Sequence, residues 1–376
     1  MKSPDVVIVG AGIVGAACAM RLAEHGLRVH IVESREIAGG ATAAGMGHLC
    51  VIDDSPAQAA ITRLSCAQWR AFAEELPREA EYSACGTLWV ARDDSEMELA
   101  RSKQSQYHEM GVRARFIDGS SICEIEPELS PRVVAGVRVE DDAVVYAPVA
   151  TRFMLDRAQY HGATVAKHAV AKQLTHDGLI LNDNERLSCA AVVVATGVEA
   201  PRLIPGLPVR PRKGQLAITD RGPVMCRHQI VELAYIKNAH GHADESVSFN
   251  VQPRPTGQIL IGSSRSYHDQ TQEIDDRMMR IMLERAVEYL PALADRRVLR
   301  MWTGFRAATP DSLPIIGHHP IVKSVLIASG HEGLGLTNSL ATAHLICSSL
   351  TGTAPEIDPS PYLPERFASS LRELAT

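Results

Sequence analysis

The chain has 376 residues, 45% apolar and 22% charged, the balance of a folded globular protein large enough for two domains. Its formal net charge of -6 excludes the basic surface that sequence-independent nucleic-acid binding needs. Its eight cysteines form no CxxC pair, which excludes a zinc ribbon or a clustered iron–sulfur site and points to reduced thiols in a cytoplasmic setting.

The run from Val6 to Met20 is apolar enough to imitate a signal-peptide core. Only Lys2 supplies positive charge ahead of it, and glycines interrupt it, so a strand, a tight turn and a helix account for it better. The pattern predicts a strand at Val6 to Val9, a GxGxxG turn, a helix over 13–25 and a second strand from Leu27 to Val32. Gly10 permits the sharp turn, Gly12 lets backbone approach a pyrophosphate, and Gly15 lets the helix pack on the strand. Ala11, Ile13 and Val14 complete a helix start whose free N–H groups favour phosphate. Glu33 closes the second strand, where a carboxylate accepts bonds from ribose hydroxyls and disfavours NADP. No stretch reaches the roughly 18 to 20 unbroken apolar residues that span a membrane.

After Glu33, the sequence SREIAGGATAAGMGHL (Ser34 to Leu49) predicts a loop of small residues against which a flat ligand can lie. Ser55 to Leu76 predicts a single helix with Ile61, Leu64, Trp69, Phe72 and Leu76 on its apolar face. A β-rich stretch follows instead of a second mononucleotide half, which favours FAD over NAD. A buried strand at Ala191 to Val194 runs into Ala195, Thr196 and Gly197, a strand end suited to the carboxyl edge of a nucleotide-binding sheet. Pro205 to Gly214 reads as a crossing between domains, with Lys213 either approaching the flavin or, as preferred, solvated. Alternating segments such as GQLAIT, SVSFNV and QILIGSS predict an antiparallel sheet. Asp275 to Leu293 predicts an amphipathic helix with Met278, Ile281, Met282, Arg285 and Tyr289 at near-helical spacing, its methionines filling core.

The glycine turn with Glu33, the small-residue loop, the ATG strand end, GFRAATPDSLPIIG (Gly304 to Gly317) and GHEGLGLT (Gly330 to Thr337) occur in order. Together they resemble the FAD-dependent D-amino acid oxidase and glycine oxidase family over nearly the whole chain. GSSR (Gly262 to Arg265) and GHEGLGLT are most similar to FAD-carrying subunits of bacterial D-hydroxyproline dehydrogenases and their relatives in hydrogen cyanide synthase and opine oxidase. The resemblance implies an α/β fold. It has a discontinuous FAD-binding Rossmann-like domain (1–83, 147–212 and 307–376) and a second α+β substrate domain on an antiparallel sheet (84–146 and 213–306).

The family reaction moves a hydride from the Cα of an amino or imino acid to flavin N5, giving an imine. Arg306 matches the family's carboxylate-binding arginine, and a guanidinium suits that task because it forms a planar two-bond fork and stays charged. Ser248 and Asn250 stand where glycine oxidase carries a histidine and a tyrosine, so a larger or more polar substrate is expected. Both are read as substrate-facing on one strand face. Gly333 replaces a second arginine, and Arg265 is left open between a substrate role and a surface one. Glu332 is a candidate for catalytic assistance or for ordering a water.

For FAD, the resemblance assigns the first turn, Glu33, Ser34 and Arg35. It adds Ala41, Thr42, Ala43, Ala44, Gly45 and Met46 from the small-residue loop, then Val170, Ala195, Thr196 and Gly197, and Arg306 itself. At the C-terminal turn it assigns Gly330, His331, Gly333, Leu334, Gly335, Leu336 and Thr337, ahead of a helix pointing its positive end at the flavin. Thr42 and Gly304 occupy the places where covalent relatives carry a histidine and a cysteine, so noncovalent FAD is expected. No metal is expected. The leading substrate is cis-4-hydroxy-D-proline, with glycine or sarcosine oxidation and a noncatalytic FAD-binding subunit as alternatives. Partner subunits or a respiratory-chain acceptor, with oxygen left open beside them, a homo-oligomer, and a cytoplasmic location that touches the inner face of the membrane only through the acceptor complete the expectations.

Overall fold

The computed structural model describes residues 3–234 and 244–371. A six-stranded sheet runs in the order Ile315–His318, Val325–Ser329, Ala191–Val194, Val6–Val9, Val29–Glu33 and Thr164–Lys167. All neighbours are parallel except the first pair. Val6–Val9 is buried throughout, as a strand covered on both faces must be. On one face lies the helix Ile13–Glu24, packed between Ala147–Tyr160 and Ser339–Thr351. Its alanines at 16, 17 and 19 are fully buried and let those neighbours come close. On the other face, Leu174, Leu179 and Leu181 of a three-stranded antiparallel sheet pack against Val7, Val9 and Val192.

The second sheet has eight strands. It runs Val298–Ala308, Arg210–Thr219, Ile259–Ser266, Glu245–Pro253, Gln229–Glu232, Thr87–Ala91, Ala135–Val139 and Ala114–Asp118. The antiparallel expectation holds except at one place, where Gln229–Glu232 lies parallel to Thr87–Ala91.

The helix Asp276–Tyr289 covers this sheet and stops four residues short of the predicted end, because Pro291 begins a 3-10 turn (Pro291–Asp295). Its core face also differs from the prediction. Met279 joins Met278 and Met282 in burial, whereas Ile281 is 39% exposed. Arg285 belongs to an ion pair with the buried Glu232, its Nε 2.9 Å from both carboxylate oxygens. The predicted small-residue loop also holds a short helix, Gly40–Ala44, which is tied to the second sheet where Trp302 Nε1 donates to the Ala44 carbonyl at 3.1 Å.

Candidate active site

A cavity of about 1150 Å³ lies between the carboxyl edge of the parallel strands and the inner face of the eight-stranded sheet. That edge is where open α/β sheets bind ligands, at the point where strands to either side are connected in opposite directions.

Gly10, Gly12, Ile13 and Val14 line the cavity. Gly10 has φ +105, and a Cβ there would stand 2.7 Å from the Ala195 carbonyl oxygen. Gly15 and Ala11 are not lining residues. A Cβ on Gly15 would collide with the Gly10 carbonyl, so its bare backbone serves helix packing. Ala11 is fully buried, and its N–H donates to Glu33 Oε2 at 2.7 Å. The other Glu33 oxygen accepts the Arg35 N–H at 2.7 Å, and Glu33, Ser34 and Arg35 all face the cavity. Ile13 N–H, free at the helix start, donates to Thr42 Oγ1 at 3.0 Å.

Ala41, Thr42, Ala44, Gly45 and Met46 line the same wall, as do Val170, Ala195, Thr196 and Gly197. Ala43 does not: the short helix turns it outward to solvent. Thr196 Oγ1 is buried with no hydrogen-bond partner among the described residues, so the wall offers a polar group awaiting a ligand.

From the C-terminal turn, His331, Gly333, Leu334, Gly335 and Leu336 reach the cavity. Gly330 and Thr337 do not. Gly330, at φ +77, packs so closely on Thr309 that a Cβ would come within 2.5 Å of its methyl, and Thr337 Oγ1 donates instead to the His48 carbonyl at 2.9 Å. The helix itself begins at Ser339. His331 Nε2 lies 2.9 Å from Thr342 Oγ1, and burial pushes the imidazole down to about 4, so the ring is neutral at neutral pH.

The opposite wall carries three arginines. Arg306 Nη1 donates to the carbonyls of Ser264 (3.1 Å) and Lys213 (3.4 Å). Arg212 and Arg265 join it in the lining, both more than nine-tenths buried. The surface role left open for Arg265 is thereby excluded. Glu332 Oε1 lies 3.3 Å from Arg212 Nη1 and 3.9 Å from Arg265 Nε. Burial raises the Glu332 carboxyl, but the guanidiniums of Arg265, Arg306 and Arg212 outweigh it and hold it below its usual value. Its backbone sits at φ 49, held there by the hydrogen bond from Glu332 N–H to the Ala307 carbonyl at 2.8 Å.

Two expectations fail at this wall. Lys213 is buried, not solvated; it pairs with Asp269 and donates to the Glu273 carbonyl at 2.5 Å. Strand alternation explains it: Arg212, Gly214 and Leu216 face the cavity, so Lys213 and Gln215 face the other way. Ser248 and Asn250 do not share the cavity face. Only Asn250 lines it, because the pairing slips between Val247 and Asn250 and breaks the alternation. Arg212 and Gln229 were missed. The alternation of Arg212 with Gly214 and Leu216 was a usable signal for the first, and nothing local marked the second. Farther along the cavity, Lys103 forms a buried ion pair with Asp53 at 2.5 Å and lies over the Trp89 ring.

A glycine turn on a parallel sheet and an acidic residue at the second strand end define a nucleotide-binding α/β protein, and three arginines give the same cavity a positively charged wall. The chain belongs to the DAO family of FAD dependent oxidoreductases, whose sequence pattern matches residues 5–349. It is similar to hydrogen cyanide synthase subunit HcnC of Pseudomonas aeruginosa (25% identical, 97% of each chain). It is also similar to glycine oxidase of Pseudomonas putida (27% identical, 96% of this chain and 99% of the relative). The structure of L-proline dehydrogenase from P. horikoshii superposes with a TM-score of 0.87 at 23% identity, over 99% of this chain and 100% of that one. The cofactor is FAD. The residues present fit it: a helix start opens on the cavity, Glu33 stands beside it, and the orphaned Thr196 hydroxyl lines the same wall. Among the described residues no helix is long and apolar enough to cross a membrane, and no group of His, Cys, Asp or Glu is arranged to hold a metal.

Proposed function

We propose that the protein oxidises a D-amino or D-imino acid to its imine, with cis-4-hydroxy-D-proline as the leading substrate. The observation that carries this reading is Arg306, whose guanidinium is fixed on the cavity wall opposite the nucleotide turn. Bound FAD supplies a two-electron acceptor. Arg306 holds the substrate carboxylate, and Arg212 and Arg265 strengthen the positive field around it. Glu332 keeps those guanidiniums from repelling one another and fixes their positions. Neutral His331 contacts the cofactor without adding charge. With Asn250 in place of a bulky aromatic, the cavity leaves room for a ring with a polar substituent.

The same reading divides the chain as the sequence suggests: 1–83, 147–212 and 307–376 carry FAD, and 84–146 with 213–306 carry most of the substrate wall, which Arg212 and Glu332 complete from the flanking segments. FAD is held noncovalently. One relative is a hydrogen cyanide synthase subunit and others are bifunctional proteins, which supports a partner subunit, beside oxygen or a membrane-associated quinone on the cytoplasmic side, as the destination of the electrons. Glycine or sarcosine oxidation is the second reading, favoured by the glycine oxidase relatives. Steady-state assays with an artificial dye acceptor and a panel of D-imino acids, D-amino acids, glycine and sarcosine test both. Turnover of D-imino acids supports the proposal, and turnover confined to glycine and sarcosine replaces it with the second reading.

A further inference from the structure

Two amide side chains on neighbouring strands face the cavity with oxygens that no described residue engages. Gln229 and Asn250 are 2% and 4% exposed, and both line the cavity. Gln229 Nε2 donates to Cys50 Sγ at 3.2 Å, and Asn250 Nδ2 donates to Ser263 Oγ at 3.3 Å. Their oxygens, Gln229 Oε1 and Asn250 Oδ1, are buried with no partner among the described residues. Buried acceptors of this kind are rare unless a ligand completes them.

Their place in the sheet is informative. Val231 is the register partner of Asn250, so Gln229 stands two residues from that row, on the strand beyond it. Arg306 lies on the opposite edge strand, four strand steps from Gln229. The row of Gln229 meets that edge strand at Arg300, six residues before Arg306, but Arg306 Nη1 reaches over to the Ser264 carbonyl at 3.1 Å while the Asn250 amide donates to the adjacent Ser263 at 3.3 Å. A small acid whose carboxylate meets Arg306 in the cavity therefore extends toward Asn250, with Gln229 on the next strand beyond it.

Resting on the proposed amino-acid oxidation, we infer that Gln229, with Asn250, selects substrates carrying a hydrogen-bond donor on the side away from the carboxylate. The class is the hydroxylated cyclic imino acids: the ring hydroxyl donates to Gln229 Oε1 and the ring nitrogen donates to Asn250 Oδ1. A site built to bond a hydroxyl discriminates strongly against the analogue that lacks it, because its own buried acceptor is then left unsatisfied.

The test compares kcat/KM for cis-4-hydroxy-D-proline and D-proline in the wild type, Gln229→Leu and Gln229→Met. The wild type is expected to prefer the hydroxylated ring by about tenfold or more, and both substitutions to cut that ratio by about tenfold. Gln229→Glu, which keeps an acceptor, retains the preference. Equal rates in the wild type, or an unchanged ratio in a folded, FAD-loaded variant, overturn the inference. If the wild type oxidises neither ring, the choice of a cyclic imino acid as substrate fails, and the panel of D-amino acids, glycine and sarcosine decides the reading on which this inference rests. The selectivity of Gln229 is then read from the perturbation of the flavin spectrum on binding each ring, where equal affinities overturn it.

Discussion

The guanidinium of Arg306 lies across the backbone of Gly214, its Cζ 2.8 Å from the point a Cβ on that glycine would occupy. Gly214 is the register partner of Gly304, and Arg212 that of Arg306, so two adjacent strands provide both the arginine and the gap it fills. Replacing Gly214 with alanine should therefore displace Arg306 without touching substrate. We expect Gly214→Ala to raise KM by about tenfold, the loss of one well-placed charge-assisted pair, with a smaller effect on kcat. Steady-state kinetics beside an unchanged far-ultraviolet spectrum check it.

Arg306→Lys keeps the charge and loses the planar fork. The expected cost is on the order of a hundredfold in kcat/KM, because an ammonium cannot make the paired bonds to a carboxylate. A variant with wild-type kinetics would place the carboxylate site elsewhere on the arginine wall.

Glu332 partly neutralises Arg212, Arg265 and Arg306. Glu332→Gln should leave the wall more positive, so simple carboxylates such as acetate should inhibit roughly three- to tenfold more tightly. Its thermal stability at pH 7 should fall. The Glu332 carboxyl sits below its ordinary value in the fold, so its stabilisation is present above pH 4.5 and is lost as pH falls through the folded value. Inhibition constants and melting temperatures report the two effects.

His331 and His48 are both pushed down by burial from 6.5 to about 4. The unfolded chain binds these protons more readily, so stability falls as pH drops from about 6.5 to 4. The loss is on the order of 3 kcal/mol for each group below that range. Denaturant unfolding of His331→Gln at pH 7 and pH 5 should show a smaller difference than the wild type. Between pH 7 and 8, no rate change should trace to His331.

Acid precipitation should release the yellow cofactor into the supernatant. A Cβ at Gly304 would stand 2.5 Å from the Ala44 methyl, so the strand has no space there for a cysteine tether. Thr42 is occupied by the Ile13 N–H. Colour retained in the pellet would show a covalent link.

Much of the nucleotide side was legible in the sequence because it depends on local rules. Gly10, Gly12 and Gly15 announce a turn through their missing side chains, and Glu33 follows at the end of a short β-run. Near misses such as Gly15, Ala11 and Gly330 share one cause. They shape the turn from behind, and a motif does not say which of its residues look inward. The substrate wall was harder, since its members come from five different strands. Lys213 was misjudged because basic residues near prolines read as surface, whereas its partner Asp269 lies far along the chain. Ser248 was misjudged because a slip in pairing leaves no trace in composition. Gln229 could be recognised only once the parallel pairing with Thr87–Ala91 placed it over the cavity.

The central claim is that the arginine wall presents a D-amino or D-imino acid to FAD. Anaerobic addition of cis-4-hydroxy-D-proline to the purified yellow protein tests it most directly, with the flavin absorbance band as readout. The account predicts bleaching by this compound, no bleaching by its L-epimer at the same carbon, and loss of the response in Arg306→Ala. A band that stays unchanged with every D-imino acid and D-amino acid, in protein shown to hold FAD, would contradict it.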